Sequence, residues 1–99
     1  MQVFVIGDHS TCLAFSLGGI TTRTVKERGE ALTALEFAID NQKIGLVLIT
    51  EKIAALVRPE VDKIIYTMHR PLVVEIPDTS GSLSGRPSAG ELMISLMKR

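Results

Sequence analysis

Asp8, His9 and Ser10 place a carboxylate, an imidazole and a hydroxyl side by side, the three groups of a hydrolytic relay. Adjacent residues cannot converge into that relay, and no Gly-x-Ser-x-Gly elbow exposes a serine. His9, Cys12 and His69 are zinc ligands by type, but their spacing follows no paired Cys-x-x-Cys pattern. Cys12 reads better as a small buried hydrophobe, and the two histidines as residues at element ends. A Mg²⁺ or phosphoryl site needs several converging carboxylates, and the candidates near strand ends are Asp8, Glu51 and Asp78. Ile49-Thr50 stands where a phosphate-accepting receiver would place its aspartate, and Glu51, one residue on, reads as a cap for the next helix. Asp8 itself reads as a turn-former or helix cap. Gly81-Ser82-Leu83-Ser84-Gly85 lacks the terminal Gly-Lys-Ser/Thr of a phosphate-cradling loop. The residues therefore assign no catalytic, cofactor-binding or metal site.

The elements that would hold these groups are legible from the apolar pattern. Val3-Phe4-Val5-Ile6 is a short β-branched run closed by Gly7-Asp8, which reads as a strand buried on both faces. Thr11–Leu17 has helical spacing and ends at Gly18-Gly19. The polar, β-branched stretch Ile20–Val25 suits an edge strand. Glu27–Asn41 is the clearest helix, with Leu32, Leu35 and Ile39 on one stripe beside Ala31 and Ala38, and Phe37 off it. Ile44–Ile49 reads as a central strand. Glu51–Val57 is a helical turn or two, and Pro59 allows a fresh start toward His69, with Val61, Ile64, Ile65 and Met68 in helical spacing. Leu72–Ile76 is the fourth strand, stopped by Pro77. Alternation of strand and helix predicts a four-stranded parallel sheet with helices on both faces, a small flavodoxin-like or Rossmann-like α/β sandwich.

Composition narrows the function. The chain has 99 residues, 11 Lys+Arg against 11 Asp+Glu, and 45% hydrophobic but only 4% aromatic residues. Zero net charge argues against nucleic acid as a partner, and the aliphatic content against a disordered chain. One cysteine cannot form an internal disulfide. The opening residues lack a positive n-region, and the longest charge-free stretch, His9–Thr22, is too short and polar to span a bilayer. The expectation is a cytoplasmic domain without membrane insertion.

The chain divides into a globular domain over 1–77, a Ser/Gly/Pro-rich loop over 78–87 expected to be mobile, and a helix over 88–99. Ser88 and Glu91 make a capping box, and Lys98-Arg99 suit the helix C-terminus. Leu92, Met93, Ile94, Leu96 and Met97 spread over an arc of roughly 200°, about twice what one sheet contact needs. That excess, with adaptable methionines, points to a partner surface on Leu92, Met93, Leu96 and Met97.

Several of these motifs together resemble the F subunit of the V-type and A-type rotary ATPases. The resemblance runs through Ile6-Gly7-Asp8, Thr11, Phe15-Ser16-Leu17-Gly18-Gly19-Ile20 and Ile44-Gly45-Leu46-Val47-Leu48-Ile49-Thr50-Glu51, and closes with Pro71, Glu75-Ile76-Pro77-Asp78 and Met97-Lys98-Arg99. Cys12 and Ala14 depart from the Val and Gly expected there. The resemblance implies a non-catalytic central-stalk subunit of the rotor, peripheral to the membrane and without a cofactor. It would pair with the coiled coil of the D subunit and help couple ATP hydrolysis or synthesis to proton or sodium transport. The alternative is a stand-alone receiver-like or ligand-sensing domain of the same fold.

Overall fold

A computed structural model describes residues 1–77, in which four parallel strands form one sheet in the order β2-β1-β3-β4. β1 (Gln2–Gly7) and β3 (Ile44–Thr50) are the inner pair, while β2 (Thr21–Thr24) and β4 (Leu72–Ile76) form the edges. Inner strands of a parallel sheet carry apolar side chains on both faces. Phe4, Val5 and Ile6 are accordingly buried in succession, and in β3 Val47 and Ile49 are buried with Leu48 partly buried between them. The more polar ITTRTV run does supply an edge strand, and the expected sheet is the one observed.

The first three helices start where the sequence provides a capping side chain. α1 (His9–Ser16) begins at Asp8, whose carboxylate accepts from the Thr11 backbone amide. It ends at Ser16 with Leu17 as C-cap, and the turn that follows passes through Gly19 at φ +82°, a conformation suited to a residue without a Cβ. α2 (Arg28–Asp40) begins with Glu30 reaching back to accept from the Lys26 and Glu27 amides at 2.9 and 3.2 Å. α3 (Glu51–Leu56) is capped by Thr50 and not by Glu51; the Thr50 hydroxyl accepts from the Ile53 amide. The position matters because the cap must precede the first helical turn, and Glu51 already lies inside it. Pro59 sits in the opening turn of α4 (Arg58–Thr67), where no intrahelical donor is needed.

Two cores result. Phe4, Ile6, Val47, Ile49 and Val73 meet α2, α3 and α4 on one face of the sheet. Val5 meets Phe15 of α1 on the other, with Ile20, Leu48 and Ile76 at its margin. The stripe of α2 is rotated from the one expected: Ala31, Ala34, Leu35 and Ala38 are buried, while Leu32 and Ile39 sit at the shoulder. Alanines let the helix backbone approach the sheet closely, so the larger side chains are turned aside. Phe37, off that stripe, is 42% exposed, with its ring 5.4 Å from Phe4 and the Arg23 guanidinium over it. Ile65 and Met68, which continue the apolar spacing of α4, remain exposed, and Val61 and Ile64 alone enter the core.

Candidate functional site

In open parallel sheets, ligands bind beyond the carboxyl ends of the strands, where neighbouring connections run to opposite faces. That point here lies between β1 and β3, at Gly7-Asp8 and Thr50-Glu51. It is packed with protein. Thr11 and Thr50 are fully buried there, and a Cβ on Gly7 would lie 2.9 Å from the Thr50 methyl. Gly7 is thus required by the close approach of β3, leaving its strand end flush against a threonine. Asp8, the residue with most chemical promise, is engaged locally: its second oxygen accepts from the Thr11 hydroxyl at 2.5 Å. Its cap and this hydrogen bond orient the carboxylate toward α1.

The other candidates are dispersed by the fold. His9 follows β1 at the carboxyl end of the sheet, whereas His69 precedes β4 at the amino end. All strands being parallel, these two side chains belong to opposite ends of the molecule. Cys12 is buried, and its thiol donates to the Arg23 and Gly7 carbonyls at 3.4 and 3.6 Å. Burial raises its pKa above the ordinary thiol range, which disfavours the thiolate a metal or nucleophilic role would use. Among the described residues, no three His, Cys, Asp or Glu side chains are grouped to hold a metal ion. The Gly81–Gly85 loop, Asp78 and the predicted contact residues Leu92, Met93, Leu96 and Met97 lie outside the described residues.

What the sheet and helices do present is apolar surface. Leu32, Ile39, Ile64 and Met68 line a groove of about 220 Å³ between α2 and α4. Glu36, Glu60 and Lys63 lie along the same groove, and Arg28 holds Glu60 through two hydrogen bonds of 2.6 and 3.0 Å. That guanidinium keeps the Glu60 carboxyl below its usual range. On the opposite face, Leu72 and Val74 of β4 are exposed beside Leu46 and Leu48 of β3. Neither surface stands out in the sequence. In the sequence LVVEI reads simply as a fourth strand; the exposure of Leu72 and Val74 follows from where the described helices lie.

Residues 3–92 match the family model described as ATP synthase (F/14-kDa) subunit. The chain belongs to this family. Relatives carrying the F-subunit name are similar along nearly its whole length. The F subunit of the A-type ATP synthase of Methanocaldococcus jannaschii is 34% identical over 94 residues, covering 94% of this chain and 91% of the relative. The namesake of Thermococcus sibiricus is 30% identical, covering 94% and 90%. That of Methanococcus maripaludis strain C5 is 33% identical over 84% of this chain and 80% of its own. The strand-end glycine and threonine that meet at Gly7 and Thr50 both lie inside the region matched to the ATP synthase (F/14-kDa) model. Among the described residues, no helix of this ATP synthase family member is long and apolar enough to cross a membrane.

Proposed function

We propose that this chain is a non-catalytic subunit of the central stalk of an A-type or V-type rotary ATPase, bound to the coiled-coil shaft that the D subunit forms. The match of residues 3–92 to the ATP synthase (F/14-kDa) family carries the reading. Two features of the chain support it. The crevice where relatives in architecture bind small ligands is filled by Thr11 and Thr50, and residues 92–97 hold more apolar side chains than a single sheet contact uses. On this reading the sheet and its helices form a rigid body that braces the shaft, and Leu92, Met93, Leu96 and Met97 grip the coiled coil. Torque then passes through a packed interface, with no covalent chemistry on this chain, and helps couple ATP turnover to ion transport from a position peripheral to the membrane.

Leu96→Glu tests it. A carboxylate in an apolar helix contact costs several kcal/mol, so size-exclusion chromatography after co-expression with the coiled-coil partner should give separate peaks. Circular dichroism of the variant should match that of the parent. Co-elution with unchanged affinity would remove residues 92–97 from the interface.

A further inference from the structure

The two edges of the sheet are finished differently. β4 is bracketed by Pro71 and Pro77, which lack the N–H that a neighbouring strand would use. Its carboxylate, Glu75, is held by Arg58. β2 has no proline between Gly18 and Lys26, and Thr21, Arg23 and Thr24 are exposed. The Val25 amide donates to the Gly7 carbonyl at 2.9 Å. Backbone groups alternate along a parallel ladder, so those of Arg23 also face β1, while Thr22 and Thr24 turn their N–H and C=O outward. Among the described residues, no strand lies beyond them. Such a row of donors and acceptors is a template for one more strand.

Charge says what that strand should carry. Arg23 projects to the α2 side of the sheet, where its guanidinium lies over Phe37, 5.4 Å from the ring centre. Lys26 follows just beyond the strand. The acids nearby are committed to the start of α2: Glu30 accepts from the Lys26 and Glu27 amides, and Glu27 completes the capping box. Among the described residues, no carboxylate pairs with Arg23 or Lys26. A ring under one face of a guanidinium leaves its in-plane N–H donors to a carboxylate. A second copy fits this edge poorly. If Thr22 and Thr24 exchanged hydrogen bonds with Thr24 and Thr22 of another copy, the two Arg23 side chains would stand opposite each other, with Cα atoms ~4.5 Å apart. Like charges directly opposite are destabilising, whereas a carboxylate in that place is favourable.

We propose that the outer edge of β2 takes an extended segment of a partner protein as a fifth strand, with a carboxylate of that segment opposite Arg23. Thr22 and Thr24 supply the main-chain hydrogen bonds, and Arg23 fixes the register and selects the charge. The contact is separate from residues 92–97 and does not depend on the stalk role.

The test titrates the peptide acetyl-Val-Thr-Glu-Thr-Val-amide, and its counterpart with lysine at the centre, into the isotope-labelled full chain, followed by NMR. The expected result is that the Thr22 and Thr24 amide signals shift and exchange more slowly with solvent, with the glutamate peptide about fivefold tighter than the lysine peptide. Arg23→Glu should reverse that preference, which a role of Arg23 in folding alone would not do. Thr24→Pro removes one outward donor and leaves the β1 ladder intact, so it should abolish binding of both peptides while the Val5 and Phe15 signals stay in place. Equal binding of the two peptides, no shift at β2, or shifts confined to Leu32 and Ile64 in the α2–α4 groove would overturn the proposal. So would Thr22 and Thr24 shifts that follow protein concentration without peptide, which would assign the edge to a second copy.

Discussion

At the scale of single residues, the strand end that most invites chemistry is a packing device. Gly7 faces the Thr50 methyl at a distance no ordinary Cβ tolerates, and that methyl belongs to a buried β-branched residue with no slack. Gly7→Ala should therefore destabilise the fold by about 1–3 kcal/mol in urea denaturation. Thr50→Ser removes the offending methyl and keeps the hydroxyl that caps α3. In the Gly7→Ala background it should recover much of the loss, a coupling that independent sites would not show. Charge acts elsewhere. Arg58 holds Glu75 through hydrogen bonds of 2.6 and 2.7 Å, which keeps the Glu75 carboxyl below its usual range. A depressed carboxyl stabilises the fold above its unfolded value of about 4.3, and the contribution disappears as pH falls through the folded value. The urea midpoint of Glu75→Gln should accordingly lie below that of the parent at neutral pH. The gap should narrow as pH drops below about 4; a gap independent of pH would show that the pair contributes nothing through charge.

At the scale of elements, the clearest device is one that apolar periodicity does not reveal. Arg70 lies between α4 and β4, and its guanidinium donates to the carbonyls of Ile39, Asn41 and Ile44 at 2.7, 3.0 and 3.0 Å. It closes the C-terminus of α2, where carbonyls lack intrahelical partners, and ties it to the entry of β4. Arg70→Ala should cost about 2 kcal/mol, and Arg70→Lys should fail to restore it, since one ammonium cannot serve carbonyls spread across a planar fork. Urea denaturation of the two variants checks both. The strands, their order of burial and the helix starts at Asp8 and Pro59 were legible because each depends on local pattern. The Arg70 clamp was not, because it joins positions about thirty residues apart through one side chain. The α2 stripe was half legible: spacing identifies a face, but Ala34 outranks Leu32 only because the sheet comes close. Of the candidate site, the capping role of Asp8 and the burial of Cys12 could be read from type and neighbours. The exposure of Leu72 and Val74 depends on where the described helices lie over the sheet, which strand periodicity does not encode.

At the scale of the whole molecule, the balance of 11 basic and 11 acidic residues bears on how such a chain holds a shaft. Long-range attraction requires net charge of opposite sign, and this chain brings none. Among the described residues, the close ion pairs Arg28–Glu60 and Arg58–Glu75 are internal. If the chain holds a coiled-coil shaft as proposed, that interface draws its free energy mainly from apolar area, with salt acting on a few rim charges. Affinity for the coiled-coil partner should fall less than about fivefold between ~0.05 M and ~0.5 M salt, the effect of a single exposed ion pair worth ~1 kcal/mol. Calorimetry should give a negative heat-capacity change, the mark of apolar burial. A steep salt dependence would mean that rim charges carry the attachment.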